Sequence, residues 1–529
     1  MRRVKDGKTE RWKGASARCP ILIVLALLSI VPSFRLSAAQ CPDGSTPPCQ
    51  SSAAYAAPPP NSVAVLYFDN LSADTADAYL ADGLTEEIAS RLGDIRRILV
   101  KQASREGVRR LREATPDYRV AVGHAMGVRH LVEGSLRRAG PRVRVVARLI
   151  NTASGFRVWG QTYDRAAADL LALEEEIARE IATSIAGQLA PAERTALVDR
   201  PTTHPDAYEH FLRGNYYLAK RSVNGLHGAI DEYEAAALRD PRFTRAIARA
   251  GFVYGLSLTY GWALPGLPRD SMLARALALA SRALAQDSSV SDAWLARGYA
   301  TSFLQPRTLG GVIEALDRAL ALDPRNSEAL QQYGFFLRVL GRDSAARAAS
   351  QRSLEIEPDR PITLSALGVL SFFERRYEDS QRWLDSSLHV NPEFFLGYLR
   401  RARARLMLGD PAGARADAET ALRLGGADSS LGNALLAMAD VQTGDTVTAR
   451  TRLSRVLASA DTLREVGIEV DVLPAAALVT LGDGEVGLRF LQRMRPRGAR
   501  LWYGLRGPEF DQIRSDPRFQ RLVEESRPR

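Results

Sequence analysis

The chain has few of the residue types that build metal and redox sites. Its 529 residues contain three cysteines and six histidines, and no two cysteines form a CxxC pair. His124 and His130 are six positions apart, as are His204 and His210. That separation is neither the four-residue spacing of ligands on a helix nor the alternate positions of a strand. The sequence therefore predicts no metal site.

Catalytic sequence motifs are absent as well. The chain has no GxxxxGK[ST] phosphate loop, no HExxH zinc helix, no GxSxG nucleophile turn and no EF-hand loop. Residues 481–487, LGDGEVG, share the glycine and aspartate of a calcium loop but lack its remaining ligands. We therefore expect a protein that is not an enzyme and that binds no cofactor.

No stretch is apolar for long enough to span a bilayer. The run ILIVLALLSIV, residues 21–31, has about 11 residues, whereas a membrane-spanning helix takes about 20. It follows a basic leader and precedes Ser37 and Ala39, which are the small residues of a cleavage site. We predict a cleaved signal peptide over 1–39 and an exported protein of the periplasm or cell envelope. It would contact a membrane only if this segment stayed uncleaved.

Excess positive charge is also scarce outside the amino terminus. The net charge is +10, but residues 1–39 supply eight basic and two acidic side chains of the total. The rest of the chain is left with a net charge of only +4. We therefore expect no nucleic-acid partner, since such partners require a concentrated basic surface.

Two cysteines remain after the predicted cleavage, in the segment CPDGSTPPC. Cys41 and Cys49 are separated by turn-forming residues, and in an oxidising compartment such a pair forms a disulfide. In the chain-entropy model, closing this loop with a disulfide stabilises the folded chain by roughly 2 to 3 kcal/mol. This stabilisation is too small to organise a domain. We predict that 40–61 is a disordered linker carrying this disulfide.

Residues 62–190 combine strand and helix patterns. VAVLYF, at 63–68, suits a buried strand, and apolar residues at four-residue spacing from Leu80 to Leu92 predict an amphipathic helix. Residues 97–100 suit a second strand, and 128–155 alternate apolar and polar residues about a Gly-Pro turn, as in a hairpin. A third strand and a helix over 170–189 follow. The pattern predicts an α+β domain.

Six carboxylates fall within residues 68–88 of this domain: Asp69, Asp74, Asp77, Asp82, Glu86 and Glu87. The first three stand where a helix begins, where acidic side chains cap free backbone amides. The last three stand beside the apolar stripe and are expected to be solvated. We interpret the cluster as a helix start and at most a docking edge.

The segments SVAVLYFDNLSAD, YLADGLTEEIASRL and GVRHLVEGSLRRAGPRVRVVARLINTASGFRVWGQTYDR resemble the TolB amino-terminal-like domain. The resemblance covers about 62–190 and implies a non-catalytic module connected with envelope assemblies. In relatives this module often follows a winged helix, a protein kinase or a nucleotide cyclase domain. Only about 60 residues precede it here, so none of those activities is expected.

The carboxyl-terminal part of the chain has an internal period. Asp323-Pro324, Glu357-Pro358 and Asn391-Pro392 are each 34 residues apart, which is the period of tetratricopeptide repeats. Each such repeat is a pair of antiparallel helices that buries its apolar face against its neighbours. We predict a linker over 191–204, then an all-α solenoid over 205–529 with about seven repeats and a polar capping tail.

The resemblance to tetratricopeptide proteins implies a groove that binds a partner's peptide. The first helix of each repeat lines that groove, and aromatic and arginine side chains are favoured anchors at interfaces. The predicted groove residues are Tyr299, Gln331, Phe335, Arg338, Phe372 and Arg403. The Lys/Asn clamp of chaperone-binding repeats is absent, because Gln331 and Phe335 stand in its place.

Together these patterns predict an exported, non-enzymatic adaptor that binds protein or peptide partners through the groove and the TolB-like module. The alternative is a regulatory sensor whose α+β domain binds a small molecule. A pocket with converging polar groups would favour that alternative.

Overall fold

A computed structural model describes residues 57–198, 200–262, 264–304, 309–425, 430–459 and 472–528. The predicted signal peptide and the predicted disulfide between Cys41 and Cys49 lie outside these residues. Pro58–Arg529 forms one compact unit, in which a mixed sheet with helices is followed by a long array of helix pairs. This confirms the predicted fold class, an α+β unit followed by an all-α solenoid.

The sheet begins the described chain. Its strands lie in the order β3-β1-β4-β5-β6, with β2 beside β4. β1 runs parallel to β3 and β4, while β4, β5 and β6 form an antiparallel meander. The strands are β1 (Ser62–Val65), β2 (Asp69–Asn70), β3 (Leu99–Gln102), β4 (His130–Ala139), β5 (Arg142–Asn151) and β6 (Arg157–Ala166). The predicted hairpin is therefore present, and Gly140, with φ +58°, makes its turn.

Helices cover both faces of this sheet. One face packs against α1 and α4 through the apolar cluster that includes Leu84, and the other packs against α2 and α3 through Val122. The helices are α1 (Ala78–Gly93), α2 (Arg105–Ala114), α3 (Tyr118–Met126), α4 (Leu170–Ala186) and α5 (Pro191–Val198). α5 falls in the predicted linker and is held by the buried Leu197.

Eight helix pairs follow in the described residues, one more than the sequence count. The central pairs keep the 34-residue period, since α12, α14 and α16 begin at Ser327, Pro361 and Phe395. The first four pairs are α6 (Pro205–Lys220) and α7 (Val223–Arg239), α8 (Thr244–Tyr260) and α9 (Arg269–Gln286), α10 (Ser291–Thr301) and α11 (Gly310–Leu322), and α12 (Ser327–Val339) and α13 (Asp343–Ile356). The last four are α14 (Pro361–Phe373) and α15 (Tyr377–Val390), α16 (Phe395–Met407) and α17 (Pro411–Gly425), α18 (Ser430–Gln442) and α19 (Thr446–Ser459), and α20 (Leu473–Thr480) and α21 (Gly484–Arg493).

Small residues let the two helices of a pair approach closely. A Cβ atom on Gly334 would lie 3.1 Å from the carbonyl oxygen of Ala346, and one on Gly368 would lie 2.8 Å from the Leu384 side chain. A larger residue at either position would push the helices apart. The repeat period therefore follows from packing, because each pair needs its small residue at the same place.

One apolar core connects the α+β unit with the array. The cluster that includes Leu84 of α1 continues through Tyr208 and Leu212 of α6 into the later helix pairs. Gly83 makes the contact possible, because a Cβ there would lie 2.8 Å from Leu212. In the described residues, no helix is both long and apolar enough to cross a membrane.

The chain ends with short helices that follow the eighth pair. They are a 3-10 helix at Arg495–Arg497, α22 (Ala499–Leu505), a 3-10 helix at Pro508–Ile513 and α23 (Pro517–Ser526). The sequence predicted a polar cap here, yet Tyr503, Glu509 and Phe510 are buried. We call residues 498–514 the inserted tail, because they lie against helices of earlier pairs.

Candidate peptide-binding groove

The six predicted groove residues lie on the first helices of successive pairs. Tyr299 is on α10, Gln331, Phe335 and Arg338 are on α12, Phe372 is on α14 and Arg403 is on α16. All six are buried, with exposed fractions between 2% and 9%. The prediction that they face an open groove is therefore wrong for this structure, although contact with a partner stays a prediction.

Two of the six are buried by the array itself. Tyr299 donates a hydrogen bond of 2.8 Å from its hydroxyl to Thr259 Oγ1 and packs edge-on against Phe252 and Phe336. Gln331 is enclosed on α12, and its Oε1 accepts no hydrogen bond from the described residues. These positions belong to the core between repeats.

The inserted tail contacts two of the others, Arg338 and Arg403. Arg403 Nε donates a hydrogen bond of 2.7 Å to Glu509 Oε1, and the two side chains are 3% and 1% exposed. The Arg403 guanidinium also lies 4.4 Å from the centre of the Phe372 ring. The Arg338 guanidinium lies 5.4 Å from the ring centre of Tyr503, and the Tyr503 ring lies 4.6 Å from that of Phe373 with a tilt of 36°. We call this surface, the carboxyl-terminal halves of α10, α12, α14 and α16, the inner groove.

Further contacts hold the edges of the inserted tail. Arg375 donates two hydrogen bonds, of 2.6 and 2.9 Å, to the two carboxylate oxygens of Asp511. Arg506 pairs with Asp343. Arg500 Nη2 donates to Ser302 Oγ at 2.9 Å. The tail is thus fixed by ion pairs as well as by apolar packing.

Three arginines are buried on the helices that line the inner groove. They are Arg338, Arg400 and Arg403, and the inserted tail places the Glu509 carboxylate against Arg403. Burial lowers the pKa of Arg400 to about 9, and the charges of Arg338 and Arg403 contribute to the shift. Arg400 Nη1 donates a 2.8 Å hydrogen bond to Ser365 Oγ. The pairing of Arg403 with Glu509 shows that the groove accommodates a carboxylate.

Sequence reasoning missed Arg375, Arg400, Tyr503 and Glu509. One signal was available, because Arg375 stands 34 residues after Gly341 and 34 before Gly409. All three have a positive φ, of 62°, 74° and 75°, which costs a residue with a side chain about 1 to 2 kcal/mol. Arginine at a position that favours glycine indicates a side chain retained for its contacts.

The segments that precede α12 and α14 contact the α+β unit, through Arg325 and Asp359. Glu328, in the first turn of α12, pairs with Arg221 and, at 2.7 Å, with Arg360. Burial opposes the charged form of Glu328, but Arg221 and Arg360 outweigh it and lower its pKa to about 2. Nearby, Arg325 Nη1 donates a 3.2 Å hydrogen bond to the carbonyl oxygen of Val100 in β3.

The structure corrects the interpretation of the carboxylates on α1. Asp74 caps a helix start as predicted, accepting a hydrogen bond of 2.8 Å from the amide of Ala76. Asp82, Glu86 and Glu87, however, are only partly exposed rather than solvated. Asp82 pairs with Arg105, and Glu87 pairs with Arg91. Burial raises the pKa of Glu86 to about 8, assisted by Glu357 and Asp82.

The α+β unit also has a cavity next to α6. Its lining includes Leu80, Val143, Leu170, Tyr208 and Glu209. The polar members are already hydrogen-bonded, since Tyr208 donates to Glu174 and Glu209 accepts from Tyr79, both at 2.6 Å. Among the residues that the structure describes, no group of three or more His, Cys, Asp or Glu side chains could hold a metal ion. The ligand-sensing alternative stays a prediction.

No family model matches the sequence. The chain is 31% identical over 239 residues to a protein of Rhizobium meliloti (strain 1021) described as "Putative adenylate cyclase 3". The match covers 44% of this chain and 40% of that relative, so the chain spans less than half of the relative's length. The prediction that the protein is not an enzyme is contradicted by this match, because the relative is named as a cyclase.

Three similar solved structures include two tetratricopeptide repeat proteins. A tetratricopeptide repeat protein from Parabacteroides merdae is 17% identical, with a TM-score of 0.32 over 48% of this chain and 93% of that chain. Pseudomonas aeruginosa pilF is 20% identical, with a TM-score of 0.32 over 41% and 93%. YrrB, a TPR protein with an unusual peptide-binding site, is 23% identical, with a TM-score of 0.23 over 36% and 90%. In the present chain, the 34-residue helix spacing itself defines the repeat.

Proposed function

We propose that this chain is an adaptor that binds a protein or peptide partner at the inner groove, with a TolB-like α+β unit fixed beside it. The observation that carries the proposal is that a peptide segment already lies there. The inserted tail places Tyr503 and Glu509 against Arg338 and Arg403. Tyrosine and arginine are the residues that most often dominate binding energy at interfaces.

A photocrosslinking experiment in cells tests this location. A photoreactive phenylalanine analogue replaces Leu304, which is 56% exposed and follows Phe303, whose ring lies 4.8 Å from the Arg500 guanidinium of the tail. The matched controls replace Phe156, which is 76% exposed beside β6, and Val447, which is 75% exposed on α19. We expect a captured partner from position 304 and none from position 447.

The other outcomes separate the alternatives. Capture from position 156 without capture from 304 would assign binding to the α+β unit instead of the groove. Capture from none of the three positions would contradict the adaptor proposal. Because the full chain is used in each case, the continuous core between the α+β unit and the array stays intact.

Export is part of the proposal. Its support is the basic leader, the apolar run over 21–31 and the small residues Ser37 and Ala39. Fractionation of cells followed by amino-terminal sequencing tests it, and a mature chain that begins near Gln40 is the expected result. Alkylation before and after reduction tests the disulfide of Cys41 and Cys49, which free thiols in the exported protein would rule out.

A second candidate function, nucleotide cyclisation, is favoured by the match with the cyclase-named relative. Its test is direct, since the purified chain is incubated with ATP and the formation of cyclic AMP and pyrophosphate is measured. Cyclic AMP above the level of a heat-denatured control would establish the activity. Equal levels in the two samples would leave the adaptor role as the function that the groove supports.

A further inference from the structure

The inserted tail contacts helices that lie far earlier in the sequence. Its Glu509 lies 106 residues from Arg403, and its Arg506 lies 163 residues from Asp343. α22 packs on α12, four helix pairs before the end of the array. Pro508–Ile513 also packs on α20 of the eighth pair, so the tail combines stacking on its neighbour with tertiary contacts to earlier pairs.

The surface and the segment are matched in charge and shape. An aromatic ring, Tyr503, lies between the Arg338 guanidinium and the ring of Phe373. Six residues later Glu509 pairs with Arg403, and two residues after that Asp511 accepts both hydrogen bonds of Arg375. Of the side chains that contact the tail here, Arg403 and Arg375 each bind a carboxylate. Arginine's planar donors suit carboxylates especially well.

Backbone strain at Arg375 supports a binding role for this surface. The neighbouring repeats place Gly341 and Gly409 at the equivalent turn, where φ is positive. Arg375 keeps the same φ at an energetic cost and uses its side chain to hold Asp511. A solenoid turn by itself has no need of this arginine, because glycine would form it with less strain.

We propose that the inner groove recognises a peptide of a partner protein that carries an aromatic side chain followed by two carboxylates, and that residues 498–514 occupy it as an internal mimic of that peptide. This inference rests on the proposed adaptor function and names the chemistry of its partner. The partner segment replaces Tyr503, Glu509 and Asp511 at Arg338, Arg403 and Arg375. Because the tail is tethered to the same chain, it competes at a high effective concentration. The apparent affinity for the partner is reduced by the fraction of chains whose tail is bound.

The test uses the full chain and a fluorescent synthetic peptide with the sequence of residues 498–514. One variant chain carries Arg506→Gln and Asp511→Asn, which remove the ion pairs at the edges of the tail and leave Arg338, Arg375 and Arg403 in place. The control chain carries Glu485→Gln, which removes an exposed carboxylate paired with Arg518 outside the groove. Fluorescence anisotropy gives the affinity of each chain for the peptide.

We expect the variant with the weakened tail to bind the peptide about tenfold more tightly than the wild-type chain, because each exposed ion pair is worth up to about fivefold and two pairs are removed. The Glu485→Gln chain should match the wild type. A peptide with glutamine at the position of Glu509 should lose about tenfold or more, since it cannot pair with a buried arginine. Equal binding of the glutamate and glutamine peptides, or equal affinity of the weakened and wild-type chains, would overturn the proposal.

A second measurement needs no variant. Trypsin cleaves after arginine, and the tail carries Arg500 and Arg506 in contacts with the groove. For this experiment both peptides carry citrulline in place of their arginines, so that trypsin does not cleave them. Adding the glutamate peptide to the wild-type chain should release the tail and speed cleavage at Arg500 and Arg506, whereas the glutamine peptide should not. Cleavage that is unaffected by the glutamate peptide at saturating concentration would contradict the proposal.

Failure of this inference is distinguishable from failure of the adaptor function. A partner captured in cells from position 304, but neither displaced by the peptide nor captured better by the weakened-tail chain, would support the adaptor function and contradict the mimicry. The opposite outcome is that the chain binds the peptide with the expected charge dependence but captures no partner in cells. That result would support the proposed peptide recognition by the groove and contradict the adaptor function.

Discussion

Glu509 of the inserted tail accepts a hydrogen bond of 2.7 Å from Arg403 of α16, and both side chains are almost completely buried. The pair joins two segments 106 residues apart in sequence. A buried ion pair of this kind contributes little net stability over apolar residues, but removal of one member leaves an uncompensated charge. The pair therefore holds the tail at a specific position in the groove. Substitution of either residue should weaken the binding of the tail.

The first prediction follows from this pair. Glu509→Ala should lower the free energy of unfolding by about 3 to 5 kcal/mol, because Arg403 stays buried without its carboxylate. The double variant Arg403→Met with Glu509→Leu should recover most of the loss. Chemical denaturation followed by circular dichroism measures both, and Glu485→Ala, at an exposed pair, should change stability by less than about 1 kcal/mol. An equal loss of unfolding free energy in the single and double variants would contradict the assignment of Arg403 and Glu509 as a buried ion pair.

The second prediction compares two glycines in equivalent turns. Gly341 and Gly409 have nearly the same φ, but a Cβ on Gly341 would lie 2.6 Å from the Trp502 ring, whereas one on Gly409 would meet nothing within 4 Å. Alanine at either position should cost about 1 to 2 kcal/mol of backbone strain. Gly341→Ala should cost about 1 to 3 kcal/mol more, because the tail must shift. Thermal melting measures the difference, and equal melting temperatures would show that Trp502 does not sit there.

The third prediction concerns Arg375. Arg375→Gly relieves backbone strain but removes both hydrogen bonds to Asp511, so the two effects should nearly cancel in the wild-type chain. In a chain that already carries Asp511→Asn, the same substitution should stabilise by about 1 kcal/mol, because only the strain relief remains. A double-mutant cycle of denaturation midpoints measures this coupling. Identical effects in both backgrounds would mean that the pair contributes nothing.

The fourth prediction is a pH dependence from Glu86. Its pKa is raised from the ordinary 4.5 to about 8 by burial and by Glu357 and Asp82, against the opposing charges of Arg360 and Arg105. The folded chain therefore binds a proton that the unfolded chain has lost, so the contribution to stability is full below about pH 4.5 and is lost as pH rises towards 8.

Glu86→Gln, which cannot ionise, should accordingly have little effect on the melting temperature at pH 5 and should raise it at pH 8.5 relative to the wild type. Glu113→Gln, at a largely exposed carboxylate of α2, is the matched control and should give the same difference at both pH values. A Glu86→Gln effect that is independent of pH would place Glu86 in solvent.

Local patterns predicted most of the secondary structure. The alternation over 128–155 forms β4 and β5, because alternate side chains of a strand reach opposite faces of a sheet. The apolar stripe from Leu80 to Leu92 forms the buried face of α1. By contrast, α2 was not predicted, because its sequence REGVRRLREA has no apolar stripe. Only Val108 and Leu111 of this helix pack towards the sheet.

The groove residues show where local patterns stop being informative. Aromatic and arginine side chains at helical spacing predicted an exposed anchor surface, and the sequence correctly indicated the helices that carry it. Arg338 and Arg403 contact Tyr503 and Glu509, which come from a segment that the sequence marked only as a polar end. Glu86 shows the same limit, because its raised pKa depends in part on Glu357, a residue of the array.

The sequence by itself determined the repeat period, the places where small residues let helices approach, and the alternation that builds the sheet. These features depend on neighbours within about one repeat, so the spacing of residues records them directly. Only the tertiary structure decided which charged residues are buried and what occupies the inner groove. The cost of burying Arg403 depends on a carboxylate 106 residues away, and no local pattern records such a partner.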